Sequence, residues 1–84
     1  MNECYAIKTK EDKWLSFDQG PNNEIEVMEE DKITWADLFE DYDTVVQSID
    51  DLTGKGGDQW RFSKRYTVND LLLAKVNISY EIIY

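Results

Sequence analysis

The chain has 84 residues, with 18 Asp or Glu against 9 Lys or Arg, so its formal net charge is −9. This length predicts a single domain over residues 1–84, and the negative charge argues against direct binding of nucleic acid or an anionic membrane. A lone cysteine, Cys4, excludes an internal disulfide. No stretch approaches the ~20 apolar residues of a membrane span, and the first residues lack a signal-peptide pattern, so we expect a cytoplasmic protein.

The first third of the chain predicts three antiparallel strands. Residues 4–10 and 14–17 are two short runs around a polar connector, the pattern of a β-hairpin. Residues 19–23 (Gln-Gly-Pro-Asn-Asn) predict a turn. From Glu24 to Glu29 acidic and aliphatic residues alternate, which predicts a third strand with one solvated face.

After Thr34 the apolar spacing changes to that of a helix. One stripe of a 3.6-residue period holds Trp35, Leu38, Phe39, Tyr42, Val45, Val46 and Ile49. We predict one helix from Thr34 to about Asp51, begun by a capping box of Thr34 and Asp37 and ended by the glycines of residues 53–57. The alternative is a break near Tyr42, with Asp43 capping a second, shorter helix.

The end of the chain has the most regular alternation. Every second residue is apolar or aromatic: Leu72, Ala74, Val76, Ile78, Tyr80, Ile82 and Tyr84. This predicts a long terminal strand that packs this side on the helix. The predicted fold class is therefore α+β, a small, largely antiparallel β-sheet with one amphipathic helix packed on one face. Trp60 and Phe62 predict a further strand, and residues 67–70 predict a turn or one helical turn.

Residue types that carry catalysis are scarce. The chain has no His, the usual general base and commonest metal ligand, and Cys4 lies in a strand pattern typical of a small core residue. The glycine-rich residues 53–57 lack the spacing of a phosphate-binding loop, and the paired aspartates lack the pattern of a calcium loop. We therefore predict a protein that is not an enzyme, with no catalytic residue, no metal site and no cofactor.

Residues 59–66 mix basic and aromatic side chains. That composition is typical of surfaces that bind single-stranded nucleic acid. It also fits an amphipathic strand whose Arg61, Lys64 and Arg65 pair with acids of the same chain. We favour the second interpretation because the net charge of −9 opposes a polyanion.

Acidic residues are concentrated in the middle of the chain. Eleven lie between Glu24 and Asp51, with Lys32 as the one base among them. Such a surface attracts a basic protein, and carboxylates repeated along a helix imitate a row of phosphates. The alternative is that these acids only form a solvated helix face and bind no partner. The predicted partner-binding residues are Glu29, Glu30, Asp31, Asp37, Glu40, Asp41, Asp43, Asp50 and Asp51.

Three segments resemble those of small acidic proteins of unknown function encoded by bacterial phages and prophages. They are residues 5–10 with 13–16, residues 36–39 and residues 74–81. Some acidic phage proteins of this size are DNA mimics or anti-CRISPR and anti-restriction inhibitors. The resemblance implies a partner such as a nucleic-acid-binding host defence protein.

The leading functional hypothesis is a non-enzymatic, phage-type inhibitor that docks an acidic, nucleic-acid-mimicking surface on a basic host protein. The alternative is a small structural or oligomer-forming phage protein that uses a sheet edge or an apolar interface. Salt separates the two, because a charge-driven complex weakens as NaCl is added and an apolar interface resists it.

Overall fold

A computed structural model describes residues 2–55 and 61–78. Four strands, β1 (Asn2–Thr9), β2 (Trp14–Gln19), β3 (Ile25–Glu30) and β4 (Leu71–Ile78), form an antiparallel sheet in the order β3-β2-β1-β4. An α-helix, α1 (Tyr42–Leu52), packs on one face of this sheet. The predicted α+β class and the first three predicted strands are confirmed.

The core lies between α1 and the sheet. Its buried hydrophobic residues are Ile7, Leu15, Val27, Val45, Leu52, Phe62 and Leu71. Four of these, Ile7, Leu15, Val45 and Leu52, have at most 1% exposure. Burial of each such side chain contributes about 1.5–3 kcal/mol, so this layer is the main source of stability.

Two tight turns join the first three strands. In the β1–β2 hairpin, the Thr9 amide donates to the Lys13 carbonyl at 2.7 Å, and Asp12 has a positive φ of 68°. Between β2 and β3, Asn22 and Asn23 have φ of 56° and 63°, a region that Asn tolerates better than most residues. The turn predicted for residues 19–23 is confirmed.

The sequence prediction placed the wrong face of β4 against α1. Leu71 is buried and Leu73 packs against the core, whereas Leu72 is 52% exposed. Because side chains alternate, Ala74 and Val76 share the face of Leu72, away from α1. The strand is described as far as Ile78, and the remainder of the predicted strand lies outside the described residues. Alternation shows that two faces exist, but three leucines in a row do not show which face is buried.

The predicted helix begins eight residues too early. Residues 33–35 form one 3₁₀ turn, residues 36–41 are not helical, and α1 starts at Tyr42. Asp41, not Thr34 or Asp43, caps it by accepting the Thr44 amide at 3.1 Å. The end is as predicted: after Leu52 the chain turns at Gly54, whose φ of 85° suits glycine.

The segment before α1, residues 31–41, enters a gap in the sheet, and we call it the connecting segment. β1 and β2 share only one register pair, Lys8 opposite Trp14, and separate beyond it. Phe39 fills the β1 side of the gap, where it exchanges two backbone hydrogen bonds of 2.7 Å with Tyr5. On the β2 side, the Asp37 amide donates to the Leu15 carbonyl at 3.1 Å. The connecting segment therefore satisfies backbone groups that the diverging strands leave unpaired.

Residues 61–70 return the chain to β4 without a further strand. Phe62 makes one parallel bridge to Ile25, and the predicted strand partner Trp60 lies outside the described residues. Val68–Asp70 is a 3₁₀ turn with a capping box between Thr67 and Asp70, which confirms the single helical turn.

Candidate functional site

Two adjoining grooves lie beside the connecting segment. They share Phe17, Ile25 and Arg61, and have volumes of about 780 and 410 Å³. The smaller groove has an apolar floor of Phe17, Ile25, Leu38, Phe39 and Phe62. Phe17 stands edge-on to both Phe39 and Phe62, with ring centroids 6.4 Å apart in each case. These edge-to-face contacts stabilise the packing of the three aromatic rings that form the floor. We call the two together the aromatic groove.

Carboxylates surround the aromatic groove. Asp18 and Glu24 line the larger part, and Asp37 and Asp51 line the smaller part. Among the described residues, Arg61 is the one base that lines either part. Within the described residues Arg61 forms no ion pair of 4.0 Å or less. Four carboxylates against one guanidinium make this rim negative, which favours a cationic ligand.

Two of the predicted partner-binding acids stabilise the fold. Asp37 Oδ2 accepts the backbone amide of Phe17 at 2.7 Å, so this carboxylate replaces a strand acceptor in the gap of the sheet. Asp41 accepts both the amide and the hydroxyl of Thr44, at 3.1 and 2.9 Å. Their positions in the sequence suggested solvated helix acids, and the hydrogen bonds show that each has a local structural task.

The three acids at the end of β3 also have partners within the chain. Glu29 accepts the Tyr66 hydroxyl at 2.7 Å and lies 3.7 Å from the Lys64 ammonium group. Glu30 accepts the Ser16 hydroxyl at 3.2 Å, and Asp31 pairs with Lys13. The interpretation that bases of residues 59–66 pair with the chain's own acids is confirmed for Lys64.

The remaining predicted acids are freer. Glu40 and Asp43 are exposed and Asp50 is half-buried. Their carboxylates have no hydrogen bond or ion pair within the part of the chain that the structure describes. Asp51 accepts one hydrogen bond, from Gln47 Nε2 at 3.1 Å, and lines the aromatic groove. The nine predicted acids therefore do not form one uniform face, and Asp37 and Asp51 are the two that meet at the groove.

The two most strongly shifted pKa values among the described residues lie outside the aromatic groove, at Tyr66 and Asp70. The Thr67 backbone amide, the Lys10 ammonium group and the Thr67 hydroxyl all hydrogen-bond the Asp70 carboxylate and lower its pKa to about 2. Burial, followed by the hydrogen bond to Glu29, raises the pKa of Tyr66. Thr67 and Asp70 form the capping box before β4, so these shifts mark a structural network.

Exposed apolar residues beside the acids are the feature that sequence reasoning missed. The described residues expose six large hydrophobic side chains, and four of them lie within residues 33–42: Ile33, Trp35, Leu38 and Tyr42. Trp35 is 67% exposed and Leu38 is 42% exposed. The helical spacing of Trp35 and Leu38 had placed them in the core. One feature of the sequence argues against burial of these two residues. Lys32 and the acids that follow it place charged side chains at short intervals around them, which is unusual for a buried apolar stripe.

Within residues 2–55 and 61–78 no three His, Cys, Asp or Glu side chains are grouped so that they could hold a metal ion. No helix in this part of the chain is long and apolar enough to cross a membrane. No protein-family model, curated protein or solved structure matches the chain.

Proposed function

We propose that this chain is a non-enzymatic binding protein, a phage-type inhibitor that docks its acidic surface on a basic nucleic-acid-binding host protein. The observation that supports this best is the aromatic groove, an apolar floor beneath four carboxylates and one guanidinium. Lys and Arg side chains suit such a groove, because their apolar stems pack on aromatic rings while their charged ends reach the rim.

Exposed apolar residues of the connecting segment would supply much of the binding energy. Interfaces concentrate their energy in a few aromatic anchors surrounded by polar residues, whereas exposed ion pairs contribute ~0.2–1 kcal/mol each. Trp35 is an exposed aromatic residue that lies between Asp31 and Asp37 in the sequence. In this proposal Trp35 anchors the partner, and the acids determine which surface it recognises and how fast it associates.

The nucleic-acid-mimic part of the proposal concerns the partner's surface. If the partner uses a basic nucleic-acid channel to bind the groove, DNA or RNA and this chain must exclude each other. The resemblance of three segments to acidic phage proteins makes a host nucleic-acid-binding protein the partner to test first.

The test compares two charge-matched double variants. Glu24→Lys with Asp51→Lys changes the groove rim and spares Asp37 and Asp41, which stabilise the fold. Glu3→Lys with Glu11→Lys changes the net charge equally at exposed sites outside the groove lining, and among the described contacts it removes only the exposed ion pair of Glu3 with Lys75, which contributes ~0–1 kcal/mol. Wild type and both variants are used to capture bacterial proteins at ~0.05 and ~0.5 M NaCl, and each captured protein is identified and titrated.

We expect the wild type and the Glu3/Glu11 variant to capture the same basic protein at low salt. The groove variant should bind it at least ~10-fold more weakly, a difference of about 1.4 kcal/mol. The partner's own DNA or RNA should displace the wild type. Equal binding by both variants would contradict the groove, and binding that nucleic acid does not displace would contradict mimicry.

An apolar pair of variants tests the anchor. Trp35→Ala should weaken the complex at least ~10-fold, as loss of an interface anchor does. Val68→Ala is the matched control, because Val68 is 69% exposed and Trp35 is 67% exposed. Both variants should retain their unfolding free energy within ~0.5 kcal/mol, since neither side chain is buried. An unchanged affinity for Trp35→Ala would remove Trp35 from the interface.

A further inference from the structure

The two edges of the sheet differ in whether other described segments of the chain hydrogen-bond to them. At the β3 edge, the Ser63 amide donates to the Ile25 carbonyl at 2.9 Å, and the Ser63 hydroxyl accepts the Val27 amide at 2.9 Å. β4 bonds to β1 on one side, and no described residue bonds to its other side. Within the described residues, β4 is therefore the open edge.

The hydrogen-bond pattern identifies which β4 groups face outward. Thr9 lies opposite Leu71, and the Lys10 amide donates to the Asp70 carbonyl at 3.0 Å. Bonded pairs recur at every second residue of an antiparallel ladder, so Leu72, Ala74 and Val76 bond to β1. The outward N–H and C=O groups belong to Leu71, Leu73, Lys75 and Asn77. Tyr5, opposite Lys75, gives an independent check, because its own backbone groups bond to Phe39 on the far side of β1.

β4 lacks the usual devices that keep an edge strand from pairing. It is eight residues long, contains no Pro, and has one charged residue, Lys75, whose ammonium group pairs with Glu3 at 3.3 Å. An unprotected edge of this length is a template for another extended strand. It is also free of acid, although the chain carries a net charge of −9. The acid-rich strand β3 is at the opposite edge, three strand spacings away, which is at least ~14 Å because β1 and β2 diverge.

We propose that β4 pairs antiparallel with β4 of a second copy, which joins two four-stranded sheets into one continuous sheet about a two-fold axis. A second copy fits because the strand is complementary to itself when the axis passes at Ala74. Leu73 of one copy then lies opposite Lys75 of the other, and Leu71 opposite Asn77. All four outward residues of each strand form bonded pairs, about eight hydrogen bonds in total.

Neighbouring registers are less favourable. An axis at Lys75 places the two Lys75 ammonium groups opposite each other, and like charges in that position are destabilising. An axis at Leu73 leaves Asn77 outside the ladder. In the register centred on Ala74, Leu72, which is 52% exposed, lies opposite Val76 of the other copy, and the face away from α1 gains an apolar cross-strand pair.

Salt acts on this dimer in the opposite direction from its action on the acidic complex. Each copy carries a net charge of −9, so screening reduces the repulsion between copies, whereas it weakens docking on a basic partner. The dimer is therefore independent of the proposed function. Failure of one leaves the other standing, because the variants and the salt responses differ.

The experiment combines sedimentation with amide exchange. In wild type we expect a monomer–dimer equilibrium that shifts toward dimer between ~0.05 and ~0.5 M NaCl. Amides of Leu71, Leu73, Lys75 and Asn77 should gain protection as concentration rises, while those of Ala74 and Val76 stay protected by β1 at every concentration. A monomer at millimolar concentration, or a dimer whose four outward amides exchange freely, would overturn the proposal.

Lys75→Pro and Lys75→Ala form the matched pair of variants. Both variants lose the ion pair with Glu3, and only Lys75→Pro also loses an outward N–H group. An edge strand tolerates proline at a position whose N–H group faces outward, so the fold of the monomer should be retained. We expect Lys75→Pro to raise the dimer dissociation constant at least ~10-fold over Lys75→Ala. Circular dichroism checks that both fold, and Asn77→Pro replaces Lys75→Pro if the latter does not. A proline variant that dimerises as tightly as Lys75→Ala would place the interface elsewhere.

Discussion

The two halves of the predicted helix share one apolar stripe and fold differently. Residues 42–52 form α1 and bury Val45 and Leu52 completely. Residues 34–41 continue the same spacing, yet Trp35 and Leu38 are exposed and the backbone pairs with the sheet. Apolar period alone is therefore insufficient to define a helix, even when the stripe extends without interruption.

The difference arises because the sheet has backbone groups beside residues 34–41 that require hydrogen-bond partners. Where β1 and β2 diverge, Tyr5, Leu15 and Phe17 present backbone groups that a helix over residues 34–41 would leave unpaired. A buried, unpaired donor or acceptor costs about 1–3 kcal/mol, more than the few tenths per residue by which helix propensities differ. The connecting segment supplies four hydrogen bonds at this gap: two between Phe39 and Tyr5, one from the Asp37 amide to the Leu15 carbonyl, and one from the Phe17 amide to the Asp37 carboxylate. Asp41 then caps the start of α1.

The largest expected effect separates the halves by their contribution to the core. Leu52→Ala should lower the free energy of unfolding by ~2–5 kcal/mol, because Leu52 is fully buried. Leu38→Ala, at 42% exposure, should cost less than ~1 kcal/mol. Urea denaturation of both variants measures the contrast. Similar losses would mean that Leu38 belongs to the core after all and that the continuous helix was the better prediction.

Strands and turns were the part of the fold that local pattern could predict. Alternation located β1, β2 and β3, and the Asn-rich turn and the single helical turn at residues 68–70 are as expected. What pattern did not contain is long-range: the divergence of β1 and β2, the insertion of Phe39 beside Tyr5, and the burial of Leu71 in preference to Leu72. Each depends on which distant residue packs beside it.

The candidate site was predictable in composition and not in arrangement. The concentration of acid in residues 24–51 is plain from the sequence, and Glu40 and Asp43 are solvent-exposed as a solvated face requires. The hydrogen bonds of Asp37 and Asp41 are not visible in a charge pattern. Trp35 was assigned to the core because an aromatic residue on an apolar stripe is usually buried, and only the backbone path of the connecting segment exposes it.

A smaller effect tests the carboxylate that holds the non-helical half. Asp37→Ala removes the acceptor of the Phe17 amide, an exposed hydrogen bond to a charged group, and should cost about 1.5 kcal/mol of unfolding free energy. Asp37→Asn retains an oxygen acceptor and should recover most of that loss. Glu40→Ala is the matched control and should stay within ~0.5 kcal/mol, because Glu40 is exposed without a described partner. Equal costs for Asp37→Ala and Glu40→Ala would show that the Asp37–Phe17 bond does not hold the segment.

The smallest effect concerns the residue at which the two halves meet. Asp41 accepts the Thr44 amide and so satisfies one of the free donors at the start of α1. Asp41→Ala should cost ~1 kcal/mol and reduce helical circular dichroism as the first turn frays, whereas Asp41→Ser keeps a capping oxygen and should lose a few tenths. Asp43 lies in the first turn and contributes only its charge to the helix dipole, so Asp43→Ala should cost less than Asp41→Ala. If the order of the two alanine variants were reversed, the helix would begin after Asp43, and residues 42–43 would belong with the connecting segment.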